Sequence, residues 1–215
     1  MAKLRMKRTI PYALGATVAA AALLAPAALA ARNENATTIA RVNLKPLNDS
    51  GARGQATLRL SADHRTLTVM IQASGLEPGG VHLSHIHGLS ENGQPVDSTC
   101  PTEAQDTDHD GYVELAEGAA TYGPILIDFM NIDTDQDGKV NFKTTVHLTG
   151  DEMALPLKLR HIVVHGRTVA PGPGAGTNGE VNGTNGYLAV LPVLCGDIRP
   201  VGKSDNPMTF RTRGR

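Results

Sequence analysis

Aromatic residues are scarce in this chain: they make up 3% of its 215 residues, and tryptophan is absent. A core must therefore be built mainly from valine, leucine, isoleucine and alanine. The sequence also lacks a long apolar stripe with the 3.6-residue period of an amphipathic helix. This second absence argues against a helical bundle.

Positive charge is not in excess, since the formal net charge is −1. Four of the 20 basic residues lie in the first ten positions, ahead of an apolar run that ends in Ala28-Leu29-Ala30. This order predicts a secretory signal peptide over residues 1–30, and hence an exported protein that has no membrane span. Its removal leaves 16 basic against 21 acidic residues, a net charge of −5. Nucleic acid and anionic membranes are therefore not expected partners.

Cysteine occurs only twice, as Cys100 and Cys195. Outside the cytoplasm an even pair is most simply a disulfide. A role as metal ligands has little support, because neither cysteine has a second cysteine or a histidine close by in the sequence. We therefore expect a bridge between Cys100 and Cys195.

Short strands are predicted along most of the chain. Apolar and polar residues alternate over 55–73, where a turn at 61–65 joins two strands into a hairpin. A short helix is expected only near 114–122. Further strand candidates have similar length and turn-rich borders: 38–44, 81–87, 125–129, 140–148, 160–165 and 187–194.

These segments predict an all-β antiparallel sandwich or barrel over residues 38–198, with long loops at 88–123 and 166–186. A flexible N-terminus, 31–37, is expected before it. A basic and flexible tail, 199–215, is expected after it.

Three of the eight histidines lie within the segment VHLSHIHG, which begins at Val81. On a strand, His85 and His87 share a face with Cα atoms about 7 Å apart, a span that two imidazoles can bridge to one metal ion. His82 has the opposite parity. A third ligand must come from elsewhere, and the segment RHIVVHG offers His161 or His165. Only one of these can join, because they lie roughly 13 Å apart along an extended strand.

Four elements together resemble the copper,zinc superoxide dismutases: HLSHIHG after a Gly-Leu-x-Pro-Gly turn, the first cysteine, a late strand ending in Val-Val-His, and a closing Leu-Cys-Gly-Asp-Ile. The resemblance implies an eight-stranded Greek-key sandwich of the immunoglobulin-like type. It implies that His85, His87 and His165 are the catalytic copper ligands, and that superoxide is the substrate. It also implies the Cys100–Cys195 bridge and a structural, hydrogen-bonding role for His82.

The chain departs from that family at two places. Between Cys100 and residue 160 it has only His109 and His147, so the zinc site is expected to be absent. The active-site arginine that the resemblance calls for is replaced by Pro192, which leaves Arg167 as another source of positive charge. Copper binding without rapid turnover is therefore an open alternative to superoxide disproportionation.

The first half of the chain also resembles the CHRD domain, through GQATLRLSADHRTLTVMIQASGLEPGGVHLSHIHG. This resemblance implies an extracellular structural or interaction module without an established catalytic role. His165 and the cysteine pair favour the dismutase-like interpretation, because the CHRD module does not call for them.

The segment DTDHDGYVELAE, 106–117, matches the twelve-position calcium loop of EF-hands. Its predicted calcium ligands are Asp106, Asp108, Asp110, the backbone carbonyl of Tyr112, and Glu117. The alternative is an acidic surface loop. A second segment repeats the first half of the pattern but has Thr144 at position 12, so it is either a weaker calcium loop or a solvated hairpin turn. Its acids are Asp133, Asp135 and Asp137.

Overall fold

The structure is a computed structural model that describes residues 37–149 and 154–204. The chain divides at Arg32, and every described residue belongs to the unit Asn33–Arg215. The predicted signal peptide, residues 31–36 of the predicted N-terminus and residues 205–215 of the predicted tail lie outside the described residues. Within the described ranges, no helix has the length and hydropathy needed to cross a membrane.

The described residues form eleven strands and little helix. The only α-helix among them, α1, is Leu115–Tyr122, and short 3-10 turns lie at Glu103–Gln105 and Leu157–Leu159. The strands are β1 Thr37–Pro46, β2 Arg53–Leu60, β3 Thr66–Ser74, β4 Leu83–His87, β5 Leu89–Glu91, β6 Gln94–Val96, β7 Ile125–Asn131, β8 Val140–His147, β9 His161–Val169, β10 Gly186–Asp197 and β11 Arg199–Ser204.

Eight strands follow one hydrogen-bonded path in the order β7-β4-β9-β10-β1-β2-β3-β8, and all their pairings are antiparallel. The path curls into a nearly closed barrel whose break lies between β7 and β8. Because β3 lies beside β8 and not beside β4, the connection from β3 to β4 crosses the barrel and produces a Greek-key order. The predicted all-β sandwich or barrel is confirmed.

The main core lies between the two halves of this barrel. Alternate residues of the predicted hairpin face it, as the period of two requires. On β3, for example, Leu67, Val69 and Ile71 are fully buried, and Leu58 on β2 packs with them. Ile86 of β4 and Ile162 of β9 enter the same core from the other half. The small size of these side chains agrees with the near absence of aromatic residues.

The predicted disulfide is confirmed: Cys100 and Cys195 are bonded, with a sequence separation of 95 residues. Cys100 precedes the 3-10 turn at Glu103–Gln105, and Cys195 lies on β10. The bridge therefore fixes the long loop after β6 to a central strand. It packs in a small second cluster with Tyr122 and Val163.

The prediction of a flexible tail is wrong for its first residues, because Arg199–Ser204 form β11. This strand pairs with the first half of β1, from Thr37 to Arg41. The reason is that β10 pairs with β1 only at Lys45 and Pro46, which leaves the backbone groups at the start of β1 in need of another partner. The tail supplies that partner.

Both predicted long loops are shorter than expected. Residues 88–123 contain the β5–β6 hairpin and α1, which confirms the short helix predicted near 114–122. β9 continues to Val169 and β10 begins at Gly186, so the second loop is reduced to residues 170–185.

Removal of the disulfide tests its contribution to stability. Cys100→Ser/Cys195→Ser is expected to lower the free energy of unfolding by about 2–5 kcal/mol, because the reduced unfolded chain gains conformational freedom. Urea unfolding followed by circular dichroism measures the change. Wild-type protein unfolded in the presence of a reductant is the control and should match the variant. Equal midpoints for the variant and the oxidised wild type would contradict the prediction.

Candidate metal centre

The pairing of β4 with β9 brings four histidines onto one face of the sheet, and three of them converge. His85 lies opposite Val163, and His87 lies opposite His161. His165 is two residues beyond Val163 on β9, so it projects from the same face. Each of His85, His87 and His165 offers one ligand atom to a group in which all such atoms lie within 4.8 Å of one another. We call these residues the three-histidine cluster.

Backbone carbonyls fix the rings of two cluster members. His87 Nδ1 lies 2.9 Å from the Gly123 carbonyl oxygen, and His165 Nδ1 lies 2.6 Å from that of Val190. A carbonyl oxygen only accepts, so each Nδ1 carries the hydrogen and donates it. In both rings Nε2 is then left with a lone pair. Both Nε2 atoms are buried and have no hydrogen-bond partner among the described residues.

His85 has the opposite arrangement. Its Nε2 lies 3.5 Å from Asp128 Oδ1, and its Nδ1 is buried without a hydrogen-bond partner in the described part of the chain. The cluster thus presents three buried ring nitrogens that have no hydrogen-bond partner among the described residues. Three imidazole donors at this spacing fit a transition-metal ion such as copper or zinc.

The cluster histidines are uncharged at neutral pH. Burial lowers the pKa of His87 to about 4 and that of His165 to about 3, each only partly offset by the backbone hydrogen bond. Burial also lowers the pKa of His85, and the nearby Asp128 opposes that shift. Neutral imidazole is the form that binds a metal ion.

The two remaining candidate histidines do not join the cluster. His82 faces the other way, as its parity predicts: its ring nitrogens lie 3.1 Å from the His165 carbonyl oxygen and 2.8 Å from that of Glu77. This is the structural role that the dismutase resemblance implied. His161 shares the cluster's face, but its ring nitrogens are not part of the converging group. Its Nδ1 lies 3.3 Å from Ser98 Oγ, its ring stacks on His87, and its Nε2 is buried without a hydrogen-bond partner among the described residues. Of the two alternatives on β9, the structure therefore places His165 in the cluster.

The positive charge expected from Arg167 is engaged elsewhere. Its Nη1 donates to the Asn48 carbonyl oxygen, and its guanidinium lies 6.0 Å from the centre of the Tyr112 ring. Pro192 pairs with His165 across β9 and β10 and brings no charge. The interpretation of Arg167 as a substitute for the dismutase arginine gains no support from these contacts.

The first acidic loop is partly assembled. Oxygen atoms of Asp106, Asp108 and Glu117 lie within 4.8 Å of one another. Asp110 is not in that group, although its Oδ2 is buried and lacks a hydrogen-bond partner among described residues. Glu117 Oε1 instead accepts from the Thr107 backbone and hydroxyl, both at 2.7 Å. The calcium assignment, which includes the Tyr112 carbonyl, stays a prediction.

Helical turns border this loop on both sides; the sequence predicted the second of them, near 114–122, but not the first. The 3-10 turn Glu103–Gln105 ends just before Asp106, and α1 begins at Leu115 inside the loop. Glu117 thereby lies in the first turn of α1, where the helix dipole favours a negative charge.

The acids of the second loop do not converge. Asp135 Oδ1 accepts from the backbones of Asp137 and Lys139, and Asp137 pairs with the Lys139 ammonium at 2.9 Å. Asp133 accepts instead from the Asn131 side chain. No group of three potential ligands is found here within the described ranges. The contacts are those of the solvated hairpin turn, the alternative interpretation of this segment.

Two carboxylates have contacts that the sequence did not predict: Glu114, which the calcium-loop pattern assigned only as a ligand acting through water, and Asp128, which had no assigned role. Glu114 is only 3% exposed, and its Oε1 accepts from the Val181 backbone at 2.5 Å, which ties the loop 170–185 to the start of α1. Burial raises the pKa of Glu114 to about 7, and Glu180 adds to the shift. Asp128 lies within the predicted strand 125–129. Its contact with His85 depends on the β4–β7 register, which alternation does not reveal.

The comparisons with known proteins agree with one of the two resemblances. A family model of the CHRD domain matches residues 26–168, more than half of the chain. The match extends well beyond the first half and includes His165, so that histidine does not distinguish the two interpretations, whereas Cys195 lies outside it. The dismutase resemblance has no counterpart among these findings. No curated protein matches the chain.

The neutral, buried histidines predict a pH dependence of stability. Below pH 6.5 the unfolded chain protonates its histidines, while His165 in the folded state stays neutral down to about pH 3. The contribution of a neutral His165 to the stability of the fold is therefore fully present above pH 6.5 and is lost as the pH falls. Glu114 acts in the opposite direction, because its raised pKa makes the folded state take up a proton first.

The contribution of His165 to this pH dependence can be isolated by comparing the wild type with a variant that lacks the imidazole. Urea unfolding of metal-free wild type and His165→Asn from pH 7 to pH 4.5 should show a smaller loss of stability on acidification for the variant. The exposed His147→Ala is the matched control and should follow the wild type. Parallel curves for wild type and His165→Asn would contradict the assignment of a neutral His165.

The calcium prediction is tested at Asp108, whose side chain accepts one described hydrogen bond, from the Asp110 backbone N–H at 3.2 Å. Calcium is expected to raise the Tm of the wild type. Asp108→Asn should abolish this rise and leave the calcium-free Tm unchanged, because a ligand charge is removed without loss of packing. Asp137→Asn in the second loop is the control. If calcium still raises the Tm of Asp108→Asn as much as that of the wild type, the prediction that residues 106–117 bind calcium is contradicted.

Proposed function

Since the chain belongs to the CHRD domain family, we propose that it is an exported β module that binds copper through His85, His87 and His165 without rapid catalytic turnover. Two observations support the extracellular setting. The family is of extracellular type, and disulfides such as Cys100–Cys195 persist in oxidising compartments.

One observation carries the copper proposal: three buried ring nitrogens converge, and none has a hydrogen-bond partner among the described residues. A buried polar atom without a partner costs free energy, so a folded protein rarely keeps three of them together. One metal ion would satisfy all three. Among divalent first-row ions, copper has the highest affinity for nitrogen ligands of this kind.

The protein's own residues prepare the site before any ion binds. The Gly123 and Val190 carbonyls fix the tautomers of His87 and His165, so that both direct Nε2 to the cluster. β4 and β9 are interior strands of the sheet, each paired on both sides, which restricts backbone movement. Bound copper would supply access to two oxidation states, and the neutral donor set does not bring a negative charge of its own.

Superoxide disproportionation is the second candidate, supported by the strand order and by the same ligand residues. It requires a position open to the anion and a nearby cation that attracts it. The cluster histidines are between 2% and 5% exposed. Arg167 is engaged by Asn48 and Tyr112, and Pro192 carries no charge. These features favour copper binding over turnover.

Copper content tests the proposal. After loading with copper and exhaustive desalting, the protein is expected to retain about one copper per chain, measured by atomic absorption. His85→Ala/His87→Ala and His165→Ala should lose it because each removes a donor, whereas His147→Ala, on an exposed position of β8, should retain it. Equal copper in the cluster variants and wild type would overturn the proposal.

The loaded protein also separates the two candidates. We expect its superoxide disproportionation rate to equal that of the copper-free His85→Ala/His87→Ala variant. A rate at least tenfold higher that depends on bound copper would instead support the dismutase candidate.

A further inference from the structure

We infer that Asp128 is the positioning residue of the cluster: its carboxylate accepts the Nε2 hydrogen of His85 and so leaves Nδ1 as the nitrogen that faces the metal. The identity of the metal rests on the proposed function. The orientation of His85 is a property of the chain itself and can be tested without any ion.

The strand register brings the two side chains together. In the β4–β7 pairing, Asp128 is the direct cross-strand partner of His85, so both project from the same face. His85 Nε2 lies 3.5 Å from Asp128 Oδ1, with side-chain exposures of 6% and 51%. Asp128 thus lies at the rim, between the buried ring and solvent.

The contact determines which nitrogen of His85 is free. A carboxylate is negatively charged and only accepts, so at 3.5 Å it favours the tautomer with the hydrogen on Nε2, the nitrogen that faces it. The other nitrogen, Nδ1, then holds the lone pair, and it is buried without a partner in the described residues. His87 and His165 are set to the opposite tautomer by backbone carbonyls. The tautomer of His85 is therefore set by a side chain, whereas backbone carbonyls set the tautomers of the other two rings.

An irregularity in β7 directs Asp128 toward His85. The β4–β7 register shifts between Leu83 and His85, and Met130 has a positive φ of 67°. Asp128 Oδ1 accepts the Met130 backbone N–H at 2.6 Å, which fixes the carboxylate in place. Irregularities of this kind commonly re-aim a side chain next to a functional site.

A carboxylate behind a metal-binding imidazole has two effects. It holds the ring in the orientation that binding needs, and it makes the ligand nitrogen more basic. Among the described residues, Asp128 is the acidic side chain that contacts a ring of the cluster. The other contacts of the cluster rings are with backbone carbonyls and with other rings. Asp128 would offset part of the charge of a bound cation.

The first test measures tautomers in the metal-free, full-length protein by ¹⁵N NMR of the imidazole rings. In wild type, the His85 signals should be those of the Nε2–H form. Asp128→Ala should convert them to a mixture of tautomers, whereas Asp128→Asn, which keeps an accepting oxygen, should retain the wild-type form. The signals of His87 and His165 should stay unchanged, a result that a general loss of structure would not give.

The second test measures copper affinity by competition with a chelator. Asp128→Ala should weaken binding by about 10- to 100-fold, the range found for loss of such partners. Asp128→Asn should weaken it less, and the control Asp137→Asn should not change it.

Unchanged His85 tautomers in Asp128→Ala, together with unchanged affinity, would overturn the inference and leave the proposed function standing. If wild type retains no copper but Asp128→Ala shifts the His85 tautomer, the proposed function fails while the positioning role of Asp128 stands.

Discussion

The antiparallel register of β4 against β9 is the constraint on which the site depends. Ile86 lies opposite Ile162, and both are completely buried in the main core. Because successive residues of a strand alternate between faces, a slip of one residue would move these side chains out of the main core and turn the histidines into it. Burial of two isoleucines on one face therefore fixes the position of His85 and His87 on the other.

That second face is also buried, which requires its polar atoms to find partners. Irregular stretches of backbone supply two of them. Gly123 ends α1, and Val190 lies where the β9–β10 register is irregular, so both carbonyls can serve ring nitrogens. The third partner is Asp128 on β7. The nitrogens left without partners are concentrated in one place, which is the physical basis of the metal-binding proposal.

Alternation in the sequence was sufficient to predict the eight strands of the main path and the shared face of His85 and His87. It could not choose between His161 and His165, because both have the same parity and they differ only in non-local contacts: Val190 holds the ring of His165 and Ser98 that of His161. The tail strand β11 and the contact of Asp128 depend likewise on non-local pairing. Motif spacing was less reliable for predicting calcium sites in the acidic loops. It shows which acidic residues are present, but not whether their carboxylates already accept hydrogen bonds within a turn.

The break in the barrel leaves β7 and β8 each paired on one side only within the described chain. Free strand edges are templates on which a second molecule can add a strand and start an aggregate. Here one edge carries the positive-φ distortion at Met130, and the other presents the exposed Lys143. A foreign strand would meet a bent backbone on one edge and a charge on the other. The open seam is therefore poorly suited to intermolecular β-pairing.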